Sequence, residues 1–225
     1  MRTLAQHIAD VTSCRHLTLL LISILSASAL ASSPDSANPV TAAEQLFKDR
    51  HYGEAQLAFE ALLVDYPDHP DVLLYLGKLA AKRHDRKAAL EYFTQAVQVK
   101  PDDAQLQFEY GAANGLYAGT LGKSFSALRY ARRASQAMER AIELDPEELS
   151  YRHGLIEFSL SAPAIAGGGS RRAYHQADAI AERNPAAGAF ARASIHRSEG
   201  DHMAAMDTLA KLLKSAPDNY FALFK

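Results

Sequence analysis

Prolines at 67, 101, 146, 185 and 217 each close a stretch with the same internal spacing. Twelve residues before each stands a small side chain: Ala55, Ala89, Ala134, Ala173 and Ala205. Eight before stand Phe59, Phe93, Met138, Ala177 and Leu209, and five before stand Leu62, Ala96, Ala141, Ile180 and Leu212. Offsets of four and seven place the three side chains on one face of a helix of 3.6 residues per turn. The small residue lets a neighbouring helix approach, the larger one fills the gap, and the proline stops the helix. Asp102-Asp103, Glu147-Glu148 and Asp218 follow these stops and suit the start of the next helix, through capping and the macrodipole. No stretch shows the alternation of Val, Ile and Thr that strands need.

Tyr52-Gly-Glu-Ala55…Phe59…Leu62…Pro67 and Gly77…Ala89…Phe93…Ala96…Pro101, 34 residues apart, resemble the tetratricopeptide (TPR) repeat. That resemblance implies an all-α fold: a TPR-type α-solenoid of about five helix–turn–helix repeats with a short C-terminal helix stub. The repeats would span about 39–69, 70–103, 104–148, 149–185 and 186–217, and the stub 218–225. The chain departs from the family pattern in having no Trp and in carrying Leu73 where an early aromatic is usual. Two proline intervals, 45 and 39, imply insertions of 11 and 5 residues. The longer predicts a first helix near 102–118, a second near 124–144, and Gly119 and Gly122 in the turn. Dividing it about seven and four would keep the packing faces in register. The shorter gives Ala162-Pro-Ala-Ile-Ala-Gly-Gly-Gly-Ser170-Arg-Arg172. Here Ala162-Pro163…Gly167-Gly168…Ala173 is similar to exported TPR proteins of Gram-negative bacteria.

The N-terminus reads as a secretory signal peptide over residues 1–31. Arg2 and Arg15 precede the apolar run Leu17–Leu25, and Ala29-Leu30-Ala31 forms a cleavage site before Ser32. Residues 32–38 read as a flexible leader. The apolar stretch is 15 residues, short for a membrane span of about 20. A periplasmic or secreted chain is therefore expected, the alternative being an N-terminal anchor in the inner membrane. Cys14 is the only cysteine and lies inside this signal, so the processed chain has neither disulfides nor thiol chemistry. Removing Arg2, Arg15 and Asp10 from 24 basic and 26 acidic residues leaves 22 and 25, a net charge of −3. This balance points away from nucleic acid and from stable membrane insertion of the processed chain.

Catalytic motifs are absent. Gly119-Thr-Leu-Gly122-Lys123-Ser124 imitates a P-loop, but Tyr117 occupies the place of the first glycine. The histidines do not fall at metal-ligand spacing. No catalytic residue, metal site or cofactor is predicted. Arg129, Arg132, Arg133 and Arg140 project from one predicted helix, either as a docking face for an acidic partner or as a solvated face paired with Glu139 and Glu143. The Gly167–Gly169 loop could cradle a small anion, or serve as a return loop with Ser170 as helix cap.

The resemblance implies a non-catalytic scaffold that takes a peptide or helix on the concave face of its first helices. Candidate groove residues are Leu74, Lys78, Lys82, Phe108, His153, Glu157, Phe190 and Arg197, with Glu44, Lys48 and Ser194 on the same helices. An accessory subunit of a cell-envelope assembly machine (outer-membrane, pilus or peptidoglycan-related) is the alternative. A binder of small anions through the glycine loop is a third. Tyr220, Phe221 and Phe224 form a candidate C-terminal contact for a partner or for self-association, because so short a segment cannot bury them all. The expected partners are proteins. Mass spectrometry of the exported protein should give an N-terminus at Ser32, and a chain retaining residues 1–31 would refute the signal assignment.

Overall fold

The computed structural model describes residues 38–215, and the expected signal, most of the leader and the C-terminal contact residues Tyr220, Phe221 and Phe224 lie outside them. Ten α-helices follow one another: α1 (Pro39–Lys48), α2 (Tyr52–Asp65), α3 (Pro70–Lys82), α4 (Arg86–Val99), α5 (Ala104–Ala118), α6 (Phe125–Leu144), α7 (Leu149–Ser161), α8 (Ser170–Arg183), α9 (Pro185–Ser198) and α10 (His202–Ser215). No strand occurs among the described residues. Successive helices pack as antiparallel pairs, and the first helices of neighbouring pairs also touch, α1 against α3, α5 against α7 and α7 against α9. The fold is a TPR-type α-solenoid.

Local chemistry sets the helix ends. Asp85, Asp103, Ser124, Asn184 and Asp201 each accept a hydrogen bond from a backbone N–H three residues on, at 2.9–3.1 Å. Pro39, Pro70 and Pro185 occupy the first helical turn, where a missing N–H is harmless. Asn184 ends α8 and caps α9 at once, so that turn has no spare residues. Within the pairs, α1, α3 and α9 end alike. Arg50, His84 and Gly200 take positive φ, and the following N–H bonds back to Leu46, Ala80 and His196 respectively, at 2.9–3.0 Å.

The core is a series of four overlapping clusters. Val40, Phe59, Leu62 and Val72 join α1, α2 and α3. Leu73, Phe93, Leu106 and Ala113 join α3, α4 and α5. Met138, Leu155 and Phe158 join α5, α6 and α7. Ile156, Ala177, Ile180 and Ile195 join α7, α8 and α9. Every member of the spaced triads is buried in the first four pairs, and half-buried in α10. Size is matched across each pair. The Phe93 ring lies so close to Gly77 that a Cβ there would stand 2.5 Å from it, and Met138 approaches Gly111 in the same way at 2.9 Å. In the fourth pair the sizes are exchanged, with Ile156 and Ala177 in one cluster.

The longer insertion forms α5, a single 3-10 turn (Gly119–Leu121) and α6. Its division differs from the seven-and-four split. α6 has 20 residues against 14 in α4, while α5 has 15 against 13 in α3 and hands its remaining share to the turn. Ser124 fixes the start of α6 by capping Ala127, so the first helix could not absorb the larger part.

Phe93→Ala should cost about 3–5 kcal/mol in chemical denaturation, through lost burial and the cavity left behind. Gly77→Ala should destabilise the native chain, because its methyl meets the Phe93 ring. In the Phe93→Ala background the same change should stabilise by up to about 1 kcal/mol, the helix propensity of alanine over glycine. No sign change would mean that Gly77 is not present to admit the ring.

Candidate functional site

The first helices present a strip of aromatic rings and lysines. Lys82 of α3 holds its ammonium 4.4 Å from the Tyr52 ring centre and 5.8 Å from that of Phe47. Lys78, one turn earlier, lies 5.6 Å from the Tyr75 ring and 3.4 Å from Glu109 of α5. Phe47 packs edge-on against Tyr75 at 5.1 Å, and Tyr75 stacks on Phe59 at 5.0 Å. Farther along, Phe108 lies 4.9 Å from Tyr151 and fills the space over Gly154, where a Cβ would meet it at 2.5 Å. His153 is half-buried, and that burial lowers its pKa against the partial pull of Glu157.

These distances bring Lys78 and Lys82 together with Glu109, Tyr75, Tyr52 and Phe47, while Phe108 lies against Tyr151 of α7, the helix that also carries His153 and Glu157. Phe190 is half-buried and Arg197 exposed on α9, at the other end of the solenoid. Leu74 requires correction. It is 5 % exposed and belongs to the core with Leu73, Phe93 and Leu106. α3 packs against α1, α2 and α4, and Leu106 and Ala113 of α5 join its core cluster, so its buried arc is wider than one helix face. Phe47, Tyr52 and Tyr75 were missing from the expected groove. Their signal was an aromatic residue within reach of a lysine on the adjacent helix, which needs the crossing of helices to be seen.

The two insertions together build an apolar cleft of about 820 Å³. Phe108, Ala112, Gly115 and Leu116 of α5 form one wall, Phe125, Leu128 and Ala131 of α6 a second, and Gly154, Phe158 and Ile165 a third. Small residues leave the room. Phe125 is 94 % exposed and Leu116 55 % exposed at the rim. Lys123 and Glu157 are its charged members. Phe108 and Glu157, expected in the groove, thus line the cleft.

The glycine loop is internally satisfied. The N–H groups of Gly167, Gly168 and Gly169 donate to the carbonyls of Ala164, Pro163 and Ser159, at 3.0, 3.1 and 2.7 Å. Arg172 fills the hollow, donating to the Gly167 carbonyl at 2.6 Å and the Ser135 hydroxyl at 2.7 Å, and pairing with Glu139. The N–H groups of the three glycines are thus occupied, and the glycines themselves offer an anion no main-chain donor. Ser170 is the first helical residue of α8, not its cap, which is Gly169 at φ 120°. Gly168 stands where a Cβ would lie 1.9 Å from the Ala162 carbonyl oxygen.

The arginines of α6 are largely engaged by the fold. Arg140 pairs with Asp102 at 2.8 Å and Glu143 at 3.2 Å, and Arg132 donates to the Ile165 carbonyl at 3.1 Å. Arg129 and Arg133 both lie over the Tyr130 ring. Tyr174 ties α8 to α9. Burial, and then the hydrogen bond it donates to Glu199 at 2.7 Å, push its hydroxyl up to about 12. Among the described residues, no group of three or more His, Cys, Asp or Glu is placed to hold a metal ion. None of the described helices is long and apolar enough to cross a membrane.

A row of antiparallel helix pairs, each packed on the next, defines the class of helical-repeat proteins. The tetratricopeptide repeat model matches residues 40–104 and 76–114, and these residues are tetratricopeptide repeats. No curated protein matches the chain in sequence. Among solved structures it is similar to TTC0263, a thermophilic TPR protein of Thermus thermophilus, at 21 % identity and a TM-score of 0.61, covering 81 % of this chain and 92 % of that one. It is also similar to YrrB, described as a TPR protein with an unusual peptide-binding site, at 17 % identity, TM-score 0.57 and coverages of 84 % and 91 %. MamA matches at 16 % identity, TM-score 0.59 and coverages of 81 % and 94 %. At these identities the likeness is one of fold.

Arg172→Ala should destabilise by about 1–3 kcal/mol, because it strips partners from the buried side of the loop. Added phosphate should not restore the loss in thermal denaturation. Recovery by phosphate would reinstate the loop as an anion site.

Proposed function

We propose that this chain is a non-catalytic protein-interaction scaffold of the bacterial periplasm that binds a peptide or helix along its first helices. The reading rests on one observation: Lys78 and Lys82 lie over the rings of an aromatic cluster formed by Tyr75, Tyr52 and Phe47. Rings pinned by packing lose little entropy on binding, and the Lys82 ammonium keeps donors free for carboxylates or main-chain carbonyls, while Lys78 is paired with Glu109 at 3.4 Å. A partner segment with apolar side chains beside acidic ones would satisfy both features. The TPR fold and the peptide-binding site of YrrB support peptide binding as the mode. The periplasmic part rests on the N-terminal leader pattern alone.

A photoreactive side chain at position 82 should crosslink a partner in envelope extracts, whereas the same group at the outward-facing Val64 of α2 should not. Lys78→Ala should change stability by within about ±0.5 kcal/mol while weakening capture at position 82. Equal labelling from both positions, or none from either, would overturn the assignment of the strip.

A further inference from the structure

We propose that copies of this chain associate by seating α10 of one molecule in the α5–α6–α7 cleft of another. The inference does not depend on the lysine–aromatic strip.

Both halves of the contact lie within the described residues. The outer face of α10 carries Met203, Met206, Ala210 and Leu213, at spacings that keep them within roughly 80° of the helix circumference. Met203 is 77 % exposed, Met206 67 % and Leu213 40 %. The inner face, with Ala205, Thr208, Leu209 and Leu212, is the one turned to α9 and only partly covered. α10 is thus apolar on two sides, and a lone surface helix ordinarily is not. Unbranched methionine side chains adapt to an irregular receptor.

The cleft asks for such an occupant. Its wall hydroxyls are already engaged, Ser124 by the Ala127 N–H and Ser161 by the Phe158 carbonyl. An extended peptide would find few partners there for its main chain, whereas a helix satisfies its own. The lengths agree. Ten residues separate Met203 from Leu213, and ten separate Phe108 from Ala118 along the cleft wall, roughly 15 Å in each case. The exposed Phe125 and Leu116 at the rim would be covered by a helix lying across the mouth. One charge complements as well: Lys214, beside the α10 stripe, can face Glu157 of the cleft, while Asp207 is already paired with Lys211 at 2.6 Å. Because the two surfaces differ, the contact is head-to-tail, and it either closes into a ring or runs on as a filament.

The test uses sedimentation of the purified protein with Phe125→Glu and Met206→Glu as single variants. Both positions are highly exposed, so circular dichroism and melting temperature should match the native chain. The native protein should show concentration-dependent association. Each variant should lose it, with self-affinity at least about tenfold weaker. An equimolar mixture of the two should restore a complex that stops at two copies, because each brings one intact surface. Leu116→Glu should behave like Phe125→Glu. The proposal is overturned if the native protein stays monomeric at roughly 100 µM. It is equally overturned if either variant still associates, or if the mixture does not pair. If Phe221→Glu disperses the complex while Met206→Glu does not, residues 216–225 make the contact and the assignment to α10 fails.

Discussion

Each helix pair of this chain can bury its apolar face only against the next pair, and everything else follows from that dependence. The contact works by size matching. Phe93 needs Gly77, and Met138 needs Gly111, because a helix must come close enough to touch a ring or thioether through the space of a missing Cβ. Where the first helix carries the bulk, as at Ile156, the second helix supplies Ala177. Stability is therefore a sum over neighbours rather than the property of one core. Such a chain tolerates insertions that leave the matched positions in place.

The two insertions use that tolerance. One lengthens α6 and adds a turn at its start, and the other turns back through Pro163 and the glycines. Neither disturbs the triads of its own pair. Arg172 joins them, since it spans from the glycine loop to Ser135 and Glu139 of α6. The same arrangement props open the cleft between α5, α6 and α7. A rigid wall of this kind can seat a helix without a further ordering cost of its own.

The charged residues divide by what they touch. Arg140, Arg132 and Arg172 are taken up by carboxylates and carbonyls of the fold. Lys82 rests instead on the Tyr52 and Phe47 rings, where an ammonium keeps its donors available. That difference, and not the number of basic residues, separates a solvated helix face from a surface suited to a partner.

Local periodicity was legible before any coordinates. The recurring small–large–apolar spacing marks the second helix of each pair and its buried face, and Asp, Asn, Ser and Pro mark where helices start and stop, because both signals act within a few residues. Phe93, Ala89 and Ala96 could be assigned to a core on that basis alone. Only the tertiary structure decided what lies between elements. It buried Leu74, since that side chain is packed with Phe93 of α4 and Leu106 of α5 and not against one helix alone. It filled the glycine loop with a side chain from the following helix, bonded to a serine 37 residues earlier. It set Phe108, Phe125 and Ile165 around one cleft, and it left the methionines of α10 facing out. Helix crossing angles and the meeting of two insertions are settled by packing over long separations, and no repeat spacing encodes them.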